Sequence, residues 1–272
     1  MASWDVFLFS LAVLVGVLLI LTRLSTQVLQ DAVESTAGEA TTPADDLDHQ
    51  PQPAVTAEQS DGAQPGDHPP ETGEPSLKLS TRALWANVVI TQGLFGLLLA
   101  AIAWYTGVPA AAFGVAADQL SAAAVSTGVA VGVAFYALSE LATRVATRFG
   151  AEPPTALREA LAAETPAGWV VLLAVVLPAI AVFEELLFRG AMIGALSVGV
   201  DAPVWLLIVV SSAAFGLGHS AQGRVGIVVT GLLGVGLAGV FVWSESLVVV
   251  IVAHYVINAL EFVVHEHGSQ EW

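Results

Sequence analysis

Residues 169–189 read WVVLLAVVLPAIAVFEELLFR. No charge interrupts the run from Trp169 to Phe183, and then Glu184, Glu185 and Arg189 follow within six positions. With the apolar residues up to about Leu196, this is a long lipid-embedded helix, because about 20 residues at 1.5 Å rise cross a ~30 Å hydrocarbon core. Ionisable groups on such a helix cost roughly 2.5–3.5 kcal/mol each on insertion scales, so they are retained for a function or a partner. Two later apolar segments carry strongly polar residues: Phe215-Gly-Leu-Gly-His219 and His254-Tyr-Val-Ile-Asn258. The rest of the chain reads as a bilayer scaffold that brings these three segments together.

Composition agrees with that reading. Of 272 residues, 56 % are hydrophobic and 12 % charged, with a mean hydropathy of +0.76. Soluble domains sit near about 45–50 % apolar and about 25 % charged. The fold class expected is all-α, a polytopic transmembrane bundle of about seven to eight spans. The chain has no cysteine, which removes disulfides, thiolate metal sites and thiol nucleophiles. Its formal charge is −16, with 24 acidic against 8 basic residues. That balance argues against a nucleic-acid partner, which calls for a basic stripe.

The chain divides into three expected regions. Residues 1–29 form an N-terminal transmembrane helix, with an apolar run from Val6 to Leu21. Its leader carries Asp5 and no base, so it reads as an uncleaved span rather than a signal peptide. Residues 30–77 carry many acids, no Lys or Arg before Lys78, and more than half of the 13 prolines, the composition of a disordered linker. His49 and His68 lie in it and read as solvated side chains. The first helix is then an appended tether, and residues 78–272 form the functional domain. Further spans are expected at Leu84–Tyr105, Leu120–Ala142, Trp169 to about Leu196, Val204–His219, Val225–Trp243 and Leu247–Val264. Gly128 and Gly132 have the spacing that allows close helix approach. Thr155–Glu164 reads as a short interfacial helix, with Arg158, Glu159 and Glu164 on polar positions. His265-Glu-His267 reads as an exposed tail. Arg and Lys cluster in the linker flanks and the 144–158 loop, which puts the linker on the cytoplasmic side of a multi-pass cell-membrane protein.

The three polar segments suggest hydrolysis. Neighbours on a helix point about 100° apart, so Glu184 and Glu185 cannot share one task. Arg189 is one turn beyond Glu185, within salt-bridge reach, so Glu185–Arg189 reads as a structural ion pair in the site. Glu184 is then left for chemistry, as general base on a water. His219, His254 and Asn258 would position that water and stabilise a tetrahedral intermediate. Glu184, His219 and His254 could equally hold a divalent metal such as zinc, since two imidazoles and a carboxylate are a common set. The cofactor stays open between none and a metal. No His-Glu-x-x-His helix is present. Ser211, Ser212 and Ser220 read as packing hydroxyls.

Taken together, Glu184-Glu185-x-x-x-Arg189, Phe215-x-x-x-His219 and His254-x-x-x-Asn258 resemble the three-motif signature of the CPBP (ABI) family, which includes CAAX-box prenyl-protein endopeptidases. The resemblance covers about residues 80–265. It implies an all-helical intramembrane protease in which Glu184 activates water and His219, His254 and Asn258 complete the cluster. Glu185 and Arg189 match the remaining motif positions. Members are described both as metalloproteases and as metal-free glutamate proteases. The implied partner besides the bilayer is a lipidated or membrane-bound peptide substrate, such as a prenylated CAAX tail. The competing readings are a non-catalytic immunity or partner-binding scaffold and a proton-coupled transporter.

One expectation conflicts with another. On the helix limits above, Glu184 and His254 lie about 20 Å from the cytoplasmic face but His219 only about 8 Å from it. The three can meet only through tilt, a bend at Pro178, or different limits.

Lys78 is the one lysine in this acidic chain, a composition suited to a high-salt cytoplasm. A halophilic source predicts that solubility and activity rise with molar salt; a protein indifferent to salt in a titration from 0.1 to 3 M would remove the basis for it.

Overall fold

The computed structural model describes residues 2–39, 80–116, 119–150 and 155–267, and every regular element within them is helical. In chain order the helices are α1 (Trp4–Glu39), α2 (Thr81–Thr106), α3 (Ala122–Arg148), α4 (Ala156–Leu161), α5 (Pro166–Gly199), α6 (Val204–Gly218), α7 (Gly223–Ser244) and α8 (Leu247–Phe262). Six are long and apolar enough to cross a membrane, and α6 is a shorter apolar one. The chain is an all-α, multi-pass membrane protein. The described residues of 2–27 and 80–267 form one compact unit. α1 runs to Glu39, ten residues into the segment read as linker, and residues 40–79, with His49 and His68, lie outside the described residues.

α5 and α8 are the most enclosed spans. α5 is not a uniform α-helix. It widens to π turns at Leu172–Val176 and again at Leu186–Ala195. The first has a local cause. Pro178 lacks an N–H and its ring would crowd the Ala174 carbonyl of a regular turn. The wider turn ahead of it, closed by Leu177 N–H to Leu172 O, admits the ring without a break. The second widened stretch packs against the 3₁₀ turn Ala110–Phe113. A Cβ at Gly194 would lie 2.5 Å from the Ala112 carbonyl oxygen, and one at Gly190 would lie 3.2 Å from the Phe113 side chain. Only residues without a Cβ let the two backbones approach this closely.

The first helix is not an appended tether. Phe7, Leu11 and Leu14 are buried in the main core with Leu99, Phe113, Leu187, Phe215 and Phe241. Phe7 meets Phe113 edge to face at 5.9 Å between centroids. The Ser3 N–H donates to the Thr106 carbonyl at 2.8 Å, which ties the start of α1 to the end of α2.

Gly128 and Gly132 seat α3 directly on α8. A Cβ at either would lie 2.7 Å from a carbonyl oxygen of α8, that of Val249 or Ala253. Two apolar helices in lipid gain little from hydrophobicity, so this close backbone contact supplies the packing.

The far end of α8 departs from the sequence expectation. The helix continues as a π turn through His267 instead of fraying into a tail. His265 Nε2 lies 2.8 Å from Glu140 Oε1 of α3. Arg158 of α4 donates to Glu261 and Glu266 of α8. Burial alone would lower the Arg158 guanidinium, but its bond to Glu266 and the charge of Glu261 outweigh that and raise it above its ordinary value. The Trp85 Nε1–H donates to the Leu161 carbonyl at 3.0 Å and closes α4 onto α2.

α6 ends where the sequence placed it, at Gly218 with His219 as its cap. It has 15 residues, about 22 Å at 1.5 Å per residue, and falls short of a ~30 Å core. His219 caps its end, a 3₁₀ turn Ser220–Gln222 follows, and α7 returns at once. The His219 ring lies 4.8 Å from the Phe215 ring and the Phe215 ring 5.9 Å from the His254 ring, so the end of α6 approaches α8 despite the expected difference in depth.

Gly132→Val should strain the α3–α8 seam. Forcing a side chain against the Ala253 carbonyl is expected to lower stability by about 1–3 kcal/mol, measured by denaturant unfolding in detergent. An unchanged midpoint would show that the seam is loose.

Candidate active site

Two turns of α5 and one of α8 build the centre. Glu185 is fully buried, and one of its oxygens, Oε1, accepts from Arg189 Nη1 at 2.7 Å and from His254 Nδ1 at 2.7 Å. Arg189, itself 1 % exposed, also donates through Nη2 to the Gly234 carbonyl of α7 at 3.2 Å. A carboxylate acceptor requires the proton to be on His254 Nδ1, and that bond fixes the ring. Nε2 therefore faces away from Glu185, toward Glu184.

Glu184 points elsewhere than its neighbour. Its Oε2 is buried without a hydrogen-bond partner among the described residues and lies 3.7 Å from His254 Nε2. That distance is too long for a hydrogen bond and short enough for one water to touch both atoms. The adjacent carboxylates thus differ in kind. Glu185 Oε1 is shared by an arginine and an imidazole, while its Oε2, like that of Glu184, has no partner among the described residues. What sets Glu184 apart is that neither of its oxygens is bound to Arg189 and its free one stands beside His254 Nε2.

His219 and Phe215 come from the end of α6. His219 Nδ1 is 2.8 Å from the Phe215 carbonyl, so this nitrogen carries the proton and Nε2 is the open one. The Phe215 ring lies 4.8 Å from the His219 ring and 5.9 Å from the His254 ring, centroid to centroid. Arg189 Cζ sits 4.5 Å over the same ring. Ser211 Oγ donates to the Phe188 carbonyl at 2.6 Å, which links α6 to the widened part of α5. Asn258 is one turn beyond His254 on α8, half-buried, and its side chain makes no hydrogen bond among the described residues.

The zinc set read from sequence does not converge. Among the described residues, the Glu/His group with ligand atoms within 4.8 Å of one another is Glu140, Glu261 and His265, not Glu184, His219 and His254. In that outer group the second carboxylate oxygens are already held by arginines, Glu140 by Arg144 and Glu261 by Arg158. Neither cluster has the donor arrangement of a closed four-coordinate metal site.

Two participants carried no role in the sequence reading. Phe215 was visible as a motif position, and its place one turn before His219 was the available signal. The Gly234 carbonyl had none, because a backbone acceptor leaves no trace in residue type.

Residues 166–260 match a family model described as type II CAAX prenyl endopeptidase, Rce1-like. No curated protein and no solved structure matches the chain.

The two carboxylates should separate in a stability measurement. Arg189→Met leaves the Glu185 charge buried with one partner fewer and is expected to cost about 3–5 kcal/mol in denaturant unfolding. The double change Glu185→Leu with Arg189→Met should recover much of that loss. If Arg189→Met unfolds at the wild-type midpoint, the ion pair does not brace the site.

Proposed function

We propose that this chain, which belongs to the CPBP (ABI) family of CAAX-type proteases through residues 166–260, is an intramembrane endopeptidase that uses Glu184 to activate water. The observation that carries this reading is the buried, unpartnered Glu184 Oε2 at 3.7 Å from His254 Nε2. A water seated between them is oriented by two atoms, one of them a carboxylate base. Such a general base contributes about 10²–10⁴-fold to rate.

The reaction follows from these positions. Glu184 takes a proton from the water as the water oxygen bonds to the carbonyl carbon of the scissile peptide. The carbonyl π pair moves onto its oxygen. In this reading Asn258, whose side chain makes no hydrogen bond among the described residues, donates to that oxyanion, and His219, whose open Nε2 is an acceptor, helps to hold the water. Collapse of the tetrahedral intermediate breaks the C–N bond, and the proton held by Glu184 passes to the departing amine. Glu185 and Arg189 touch no reacting atom in this scheme; they hold His254 in place. The failure of Glu184, His219 and His254 to reach chelating spacing favours water activation by the glutamate over a zinc-bound hydroxide.

The substrate class comes from the family. A prenylated CAAX tail is anchored in the bilayer by its own lipid, so its scissile bond is delivered to a site built between membrane helices. Local concentration near the membrane then supplies part of the encounter that a soluble protease would need from contacts.

The test is cleavage of a prenylated C-a-a-X peptide by purified protein in detergent, with and without a chelator. Glu184→Gln should lose about 10²–10⁴-fold in kcat while unfolding at the wild-type midpoint, and the chelator should leave wild-type turnover unchanged. Wild-type rates in Glu184→Gln would refute the general-base assignment; loss of turnover with chelator would transfer the chemistry to a metal.

A further inference from the structure

Phe215 is 1 % exposed and lies one turn before His219 on α6. Its ring is shared by three polar groups from three helices: Arg189 of α5, His219 at the end of α6 and His254 of α8. Phe188 also meets the ring, edge to face at 5.1 Å between centroids. A packing role alone needs apolar contacts, and Leu or Met would serve it. Here an apolar neighbour is joined by a guanidinium and two imidazoles, which an aliphatic chain cannot attract.

His219 depends on this residue in a way the other site groups do not. Glu185 ties Arg189 and His254 together by hydrogen bonds. His219 takes no part in that network. Its hydrogen bond goes to the Phe215 carbonyl, and its ring contact goes to the Phe215 side chain. The backbone bond fixes the rotation of the imidazole but is local to α6. α6 is also tied to α5 by Ser211 Oγ on the Phe188 carbonyl, but the ring that touches His219 and reaches both Arg189 and His254 is that of Phe215.

We propose that Phe215 is the positioning residue that holds His219 in register with Glu184 and His254, its aromatic face anchored by the Arg189 cation. The proposal rests on the peptidase reading for its rate consequences but not for its geometry. A cation over a buried ring is attracted by the ring quadrupole, more strongly once desolvated. Arg189 is in that situation: Glu185 holds one edge of its guanidinium and its Nε has no partner among the described residues. The ring is thus fixed from the α5 side, and through it α6 places His219. The role is one of alignment, because Phe215 has no proton to give or take.

The test uses full-length protein in detergent. Phe215→Leu removes the ring but keeps most of the apolar volume. Pentafluorophenylalanine incorporated at 215 keeps the shape and reverses the quadrupole, so it covers the case in which the leucine variant fails to fold. Both replacements should lower kcat about tenfold or more while KM stays within about threefold, the pattern of an interaction made for the transition state. Loss of packing alone would lower the unfolding midpoint and leave kcat per folded molecule unchanged. Turnover within about threefold of wild type in both proteins would overturn the proposal. A second readout does not need activity. The His219 imidazole protons, assigned by their absence in His219→Gln, should lie upfield in wild-type spectra from the Phe215 ring current and move downfield in Phe215→Leu. Unchanged His219 resonances would overturn the proposal even if the wild type cleaves no peptide, an outcome that would count separately against the peptidase reading.

Discussion

A carboxylate withdrawn from water must have its charge answered by protein, and the whole centre of this bundle is arranged around one that is. Glu185 is fully buried, and its Oε1 receives Arg189 and His254 at the same distance, 2.7 Å. Those two bonds join α5 to itself and to α8. Arg189 then reaches α7 through the Gly234 carbonyl and α6 through the Phe215 ring. One buried anion therefore has consequences on four helices. Such a pair adds little net stability, since desolvation of both ions is comparable with their attraction. Its value is directional: it excludes helix registers in which the charge would be stranded.

The same constraint explains why two adjacent glutamates differ. A helical step rotates one side chain about 100° from the next, so a neighbour of the buried anion cannot use the same partners. Glu184 is left with a free oxygen against the ring that Glu185 has oriented. A mobile imidazole would not hold a 3.7 Å separation. The structural carboxylate thus sets up the working one.

Much of this could be read from the sequence, and the limits of that reading have physical causes. Long uncharged runs between Arg- and Pro-containing loops admit only helices in a bilayer, because no other local structure satisfies every backbone group. The i,i+4 spacing of Glu185 and Arg189 places them on one face, and the structure has them bonded. Hydropathy placed α6 well, since the span expected at Val204–His219 is the helix Val204–Gly218 capped by His219. It is blind, however, to whether an apolar face meets lipid or protein. The first helix could therefore pass for a tether, while Phe7 and Leu11 are buried in the core. Arg158 read only as a polar position of an interfacial helix because its partner Glu261 lies more than a hundred positions away.

The segment that matches the family, residues 166–260, contains every group assigned to the chemistry, yet it does not hold its own geometry. α3 lies outside it and presses two glycines onto the α8 backbone at Val249 and Ala253, the latter next to His254. The Ala110–Phe113 turn lies outside it and packs on Gly190 and Gly194, directly after Arg189. α1 lies outside it and backs that turn through Phe7 on Phe113. The first two supports reach the neighbours of His254 and Arg189, Ala253 and Gly190. Reacting groups tolerate few replacements, whereas a buttress needs only the right shape and a close approach. A family likeness concentrated in α5 to α8, with unmatched helices around it, is what this division of labour produces. The parts with a single chemical solution stay recognisable, and the parts with many packing solutions do not.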